Sequence, residues 1–247
     1  MFPTYLRRGM AAGLLAGLLA GIFAFLVGEP LLDRAISLED TANHSHDAGG
    51  GHSQGDEETV FSRSTQKVGL FFASGLSGTF LGGLFGMAFA VLRDRLSSVS
   101  DWERSLSLAA AAFVGVALLP FLKYPANPPT VGDPETIGSR TAAYFFMVGI
   151  SLLTILVSWY TARGMREGGA SAPARHLTVG AGLVAVFALL FVGLPATADP
   201  GEFPAGLLWS FRLSSIGTQL VLWTGLGVIF GLLCERAERK ANRKDAA

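Results

Sequence analysis

Apolar positions along the chain gather into six long runs, nearly free of charge, at residues 9–28, 67–92, 105–122, 141–160, 177–195 and 207–234. A helix needs roughly 20 such residues to cross a hydrocarbon layer of about 30 Å. Every run reaches or approaches that length, so the pattern predicts an all-α integral membrane protein with six transmembrane helices. The first run follows Arg7 and Arg8 and has to be weighed against a secretory signal peptide. The apolar region of such a peptide spans about 7–15 residues and ends in a small-x-small cleavage site. Here the run continues from Gly9 to Gly28 and leaves through Phe25-Leu26-Val27-Gly28, so a retained helix is expected.

The polar segments between the runs complete the expected layout: one membrane domain over 1–247, outer loops at 29–66 and 123–140, and a basic tail at 235–247. Lys and Arg are retained on the cytoplasmic side of membrane proteins. With the N-terminus inside, 13 of the 19 Lys and Arg fall on inner segments, and 12 of the 19 acids fall outside. Both termini are therefore expected in the cytoplasm. Trp102, Trp159 and Tyr160 would anchor the inner interface, and Tyr124 and Trp209 the outer one.

Composition narrows the class. Half of the residues are apolar, 15% are charged, and mean hydropathy is +0.45, whereas in soluble domains about a quarter are charged. Basic and acidic residues balance at 19 each, so a nucleic-acid partner has no electrostatic footprint. Cys234 is the single cysteine, which excludes an intramolecular disulfide and reads as inert.

Glycines recur every fourth residue in span 1, at Gly9, Gly13, Gly17 and Gly21, and again in span 2, at Gly78, Gly82 and Gly86. That spacing lines one helix face and lets backbones approach where lipid supplies no hydrophobic drive. Spans 1, 3 and 5 also leave through related strings, Val27-Gly28-Glu29-Pro30, Leu118-Leu119-Pro120 and Val192-Gly193-Leu194-Pro195. Spans 2, 4 and 6 open with Ser62-Arg63, Ser139-Arg140 and Ser210-Phe211-Arg212. The shared grammar suggests three hairpins in parallel repeat, an arrangement some transporters use. One arginine per hairpin would then stand near the outer face. Arg63 is expected to snorkel to the headgroups; for Arg140 and Arg212, pairing with Asp133, Glu135, Asp199 and Glu202 is an equal alternative.

Three segments carry candidate chemistry. Loop 1 holds His44, His46, Asp47 and His52 on a Gly/Ser-rich tract not expected to fold alone, ahead of the acids 56–58. Imidazoles with nearby carboxylates suit borderline divalent metals without choosing among them. A flexible arm of this kind fits capture and release. Loop 3 is proline-rich, which forbids regular helix and displays Lys123, Tyr124, Asn127, Asp133 and Glu135 on a stiff frame, a lid or a structural cap. In span 6, Arg212, Ser215 and Gln219 share one helix face as a polar stripe. With Arg140 these residues form the expected transport pathway or gate. His176 reads as an interfacial side chain.

The run Phe121-Leu122-Lys123-Tyr124-Pro125-Ala126-Asn127-Pro128-Pro129 with Val131-Gly132-Asp133-Pro134 resembles the signature of the CbtA family, predicted cobalt transporter subunits. Gly9 to Gly21, the His/acid loop 1 and Phe203-Pro204 leading into Leu208-Trp209-Ser210-Phe211-Arg212 carry the resemblance over nearly the whole chain. It implies a bacterial cytoplasmic-membrane protein for cobalt uptake serving cobalamin synthesis, beside a small single-span, histidine-rich CbtB-like partner. No tightly bound cofactor is expected; the cargo is a divalent cation and the surroundings are lipid. The chain has no Gly-x-x-x-x-Gly-Lys-Ser/Thr string, so it does not hydrolyse ATP by that route. Two rivals stand beside transport: a scaffold or metal sensor that does not transport, and a membrane-embedded enzyme using Lys123, Asp133 or Glu135. No histidine in the membrane core and no nucleophile motif supports the enzyme.

Overall fold

The computed structural model describes residues 2–47, 62–95, 100–129, 131–132, 134–196, 200–201 and 203–245, and at 39–47, 134 and 244–245 it describes the backbone course alone. All six apolar runs are helical, each long enough to span a membrane, and the described residues contain no strand.

Span 1 begins as α1 (Phe2–Phe23), passes through a wide π turn (Ala24–Gly28) and continues as α2 (Glu29–Asp47). The outer loop expected at 29–66 is thus helical as far as Asp47. Pro30 does not end the helix, for a local reason. In a regular turn its ring would strike the Leu26 carbonyl, for which it also has no N–H. The wide turn, in which the Glu29 N–H bonds back to the Ala24 carbonyl, admits the proline just beyond it.

The device recurs in span 3. There α4 (Asp101–Ala112) widens at Phe113–Leu118, where the Leu119 N–H bonds to the Val114 carbonyl, and α5 (Leu119–Lys123) carries Pro120 as its second residue. Span 2 is α3 (Arg63–Leu92), capped by Ser62. Spans 4, 5 and 6 are α6 (Ile137–Glu167), α7 (Ala172–Gly193) and α8 (Ala205–Asp245).

Contacts divide the chain into two units. The first comprises Met1–Ala110, Asn127–Thr130 and Phe203–Ala247, the second Ala111–Ala126 and Val131–Glu202. Span 6 therefore belongs with spans 1 and 2, and span 5 with span 4, so the units cut across the three sequence hairpins.

In the first unit, α1 packs along α3 through the two glycine rows. A methyl on Gly13 would run into the Gly78 carbonyl oxygen and lie 2.7 Å from the Gly82 Cα, and one on Gly78 would strike the Gly13 carbonyl oxygen. Gly9 and Gly82 oppose each other in the same reciprocal way. The second Cα hydrogen of each glycine therefore points at a carbonyl across the interface, the geometry of weak C–H···O bonds. Next to this contact Tyr5, Phe85, Phe89 and Phe230 form an aromatic plug, with Phe89 and Phe230 edge-on at 4.9 Å. α8 closes against α4, where Ser105 donates to the Gly227 carbonyl at 2.7 Å and Gly231 leaves room for Trp102.

The second unit is looser. Gly115 in the wide turn of span 3 admits Leu152 and Ile155 of α6, and no residue of α7 is fully buried. Leu177, Val184, Leu189 and Val192 of α7 are all exposed, as are Phe72, Leu76 and Phe80 of α3. Exposed apolar stripes of this extent mark lipid-facing surface.

Gly13→Ala and Gly82→Ala are expected to destabilise the full chain by about 1–3 kcal/mol or more, as overpacking does. Gly149→Ala and Gly180→Ala, whose Cβ positions are open, are expected to be neutral. Thermal melting of the solubilised protein and its steady-state level in the membrane check both halves.

Candidate functional site

Charged side chains stand at the ends of the spans. None lies within 9–28, 68–92, 105–122, 141–162 or 213–234.

At the exit of span 1, Glu29 and Asp33 lie one helical turn apart on α2, and Arg63 and Lys67 one turn apart on α3. Arg63 bonds Glu29 at 3.0 Å and also reaches Asp33; Lys67 bonds Asp33 at 2.9 Å and stands 3.8 Å from Glu29. Arg63 also donates to Gln66 at 2.8 Å. The expectation that Arg63 snorkels to lipid is therefore corrected. Continuation of the helix through Pro30 brings two carboxylates within its reach, and a charge-assisted pair displaces a headgroup contact.

Of the expected pathway residues in the first unit, Arg212 donates to the Asn127 side-chain oxygen at 2.9 Å and stacks over Trp209 at 5.4 Å. Its Nε is buried without a hydrogen-bond partner. Of the acids weighed as partners for Arg212, Asp133, Asp199 and Glu202 lie outside the described residues. Ser215 and Gln219 are half-buried on the same helix and make no side-chain hydrogen bond among the described residues.

In the second unit, Lys123 is 7% exposed and donates to the Phe191 carbonyl at 2.9 Å. The Tyr124 hydroxyl donates to the Pro195 carbonyl at 3.0 Å, and burial pushes this phenol above its ordinary pKa. Glu135 is exposed on a short 3-10 turn (Pro134–Thr136), and Arg140 is half-buried in the first turn of α6. The expected loop 3 set is thus shared between the units, Asn127 in one, Lys123, Tyr124, Glu135 and Arg140 in the other.

His44, His46 and Asp47 stand near the end of α2, with their side chains outside the described residues, and so does the whole of His52. Among the described residues no group of three or more His, Cys, Asp or Glu side chains is placed to hold a metal. His176 is exposed near the start of α7.

Sequence reasoning missed a cluster at the other end of the first unit. Asp101 is 3% exposed and bonds Arg104 at 2.9 Å and Arg93 at 3.4 Å, while Arg93 donates to the Tyr5 hydroxyl. Arg8 and Arg93 both lie over the Tyr5 ring, and Arg8 points to the buried Cys234 sulfur at 3.9 Å. The i,i+3 spacing of Asp101 and Arg104 was the available signal; the long-range partners were not.

Six apolar spans with paired charges at their ends and neutral interiors define a multi-pass membrane protein. The chain belongs to the CbtA family, described as "Probable cobalt transporter subunit (CbtA)", whose pattern it matches over residues 2–235. No curated protein and no solved structure matches it. Membership makes it a cobalt transporter subunit, and the word subunit implies a partner.

Removing the charge of Asp101 leaves the partly exposed guanidiniums of Arg93 and Arg104 without the buried carboxylate they share. Asp101→Ala is expected to cost about 2–3 kcal/mol, the scale of lost hydrogen bonds to charged groups. Glu235→Gln, which touches only the exposed pair with Arg239, should cost at most about 1 kcal/mol. Melting of the two variants side by side reads the contrast.

Proposed function

We propose that the chain takes up divalent cobalt across the bacterial cytoplasmic membrane, with both termini inside, to supply cobalamin synthesis. The observation that carries this reading is the family match over residues 2–235, joined to six spans. It is supported by the helical stalk α2. From Glu29 to His44 the helix rises about 22 Å at 1.5 Å per residue. The backbone at His44, His46 and Asp47 is thus carried well clear of the exit of span 1, a reach suited to collecting a cation.

The cation then passes to loop 3, where Asp133 and Glu135 receive it and Lys123, Tyr124, Asn127, Arg140, Arg212, Ser215 and Gln219 line or close the way. Inside the spans this chain offers a cation no charged carboxylate, only uncharged oxygens and the sulfurs of Met10, Met87, Met147 and Cys234. The driving force is the membrane potential, worth about 2.3 kcal/mol per charge per 100 mV. A dication entering an inside-negative cell gains twice that, so inward flow needs no nucleotide. The partner is a small single-span, histidine-rich subunit of the CbtB kind. The chain itself performs no catalysis. A scaffold that only presents metal to such a partner is the second reading, favoured by the absence of a metal cluster among the described residues.

Cobalt uptake into proteoliposomes containing the chain alone, under an imposed inside-negative potential with nickel and zinc as competitors, tests the proposal. Saturable, potential-dependent uptake that falls with Glu135→Gln is expected. Uptake that depends on residues 42–58 and the added partner, and is indifferent to Asp133→Asn and Glu135→Gln, would overturn the permease in favour of the scaffold.

A further inference from the structure

A helix leaves its last carbonyls without N–H partners. At the exit of α7 the shortage is sharpened by Pro195, the residue whose N–H would serve the Phe191 carbonyl in one further turn. The Leu194 N–H satisfies Leu190 at 3.1 Å. The Phe191 and Pro195 carbonyls are taken instead by two consecutive side chains, the Lys123 ammonium at 2.9 Å and the Tyr124 hydroxyl at 3.0 Å.

The surroundings of that ammonium have the chemistry of a cation site. The carbonyl oxygen lies at the negative end of a 22-residue helix. The Phe191 ring faces the charge at 4.8 Å and the Tyr124 ring at 5.8 Å. An ammonium has three donors, and this one has a single hydrogen-bond partner among the described residues. Lys123 therefore fills a place that it does not saturate. Its flexible four-carbon stem lets it leave without disturbing the backbone. The helix whose exit it holds is also the one with no fully buried residue.

We infer that the exit of α7 is a cation site which the chain plugs with its own Lys123, and that a divalent cation, still largely hydrated, displaces the ammonium there. The role in transport rests on the uptake reading above; the existence of the site rests on the carbonyl geometry. Neutral oxygens suit a cation that keeps most of its water. Two positive charges do not share a site of this size, so arrival of the dication and departure of Lys123 are one event. That event also releases half of the clamp on span 5.

The test uses the full chain with Lys123→Ala, Lys123→Arg and Lys123→Met. Methylammonium chloride, against sodium chloride at equal ionic strength, is expected to raise the melting temperature of Lys123→Ala and leave the wild type unmoved. Half-saturation for cobalt uptake is expected to fall about tenfold in Lys123→Ala, the scale of removing one nearby like charge, and to stay unchanged in Lys123→Arg. Lys123→Met, which keeps the apolar stem, gives the same uptake reading if the alanine variant does not assemble. Equal methylammonium shifts in wild type and Lys123→Ala, with unchanged half-saturation, would reduce Lys123 to a structural clamp and overturn the inference. A methylammonium shift confined to Lys123→Ala, in a chain whose wild type takes up no cobalt, would support the cation site while sinking the permease reading.

Discussion

Backbone-to-backbone contact between spans 1 and 2 sets the frame on which the first unit is built. Lipid tails are as apolar as leucine, so two helices gain nothing by hiding side chains from them. What remains is contact distance, and glycine at every fourth position of both helices brings carbonyls onto the opposing Cα hydrogens along the whole interface. One antiparallel register follows from this. Continued in one direction it places Glu29 and Asp33 opposite Arg63 and Lys67; continued in the other it places Tyr5 beside Phe89 and Arg93. The ion pairs and the aromatic plug are consequences of the glycine register, which also brings Tyr5, Phe85 and Phe89 together where Phe230 of α8 inserts, edge-on to Phe85 and Phe89.

A second constraint shapes the exits of the odd-numbered spans. In hydrocarbon each carbonyl needs a partner, and a proline removes one donor while crowding the carbonyl four residues earlier. Pro30 and Pro120 are accommodated by wide turns that carry the helix onward, and the Val116 carbonyl in the second of these accepts the Tyr144 hydroxyl at 3.5 Å. Pro195 ends its helix instead, and the Phe191 carbonyl is served by Lys123. The same sequence device thus gives a stalk in one case, a short helical extension in another and a clamped end in the third. What differs is the residue before the proline. Glu29 and Leu119 keep helical dihedrals, while Leu194 has already turned to an extended conformation before its proline.

The six spans were legible because length and apolarity alone decide whether a helix crosses a membrane. The α1–α3 contact was legible because glycine spacing is a local property of each helix. The stalk was not, since a proline and a Gly/Ser-rich tract both read as helix stops, and the wide turn that defeats the first is invisible in the pattern. Arg63 followed from the same miss: with span 1 ended at Gly28, it had no acid to meet. Arg212 and Asn127 were each singled out, yet their mutual bond joins positions 85 residues apart and is a property of the fold. The Asp101 cluster lay hidden because its members come from four separate segments, each carrying an unremarkable charge.

Neutral interiors and paired ends constrain how a dication passes. A bare charge in hydrocarbon costs many kcal/mol, and polar groups reduce that only where they face it. With no acid inside the spans, the chain has no carboxylate to neutralise the ion midway; it can replace water with uncharged ligands, or leave some water on. Such a route stays closed unless helices separate enough to admit a hydrated ion. The first unit is unsuited to that, since its glycine contact has no slack. The second is suited: α7 has no fully buried residue, packs on α6 alone among the long helices of its unit, and is held at its exit by two side chains. On the uptake reading proposed above, the tightly packed α1–α3 pair would stay fixed and the loosely held α7 would yield. In the route proposed above, the neutral oxygens at the exit of α7 are where the cation takes the place of the chain's own ammonium.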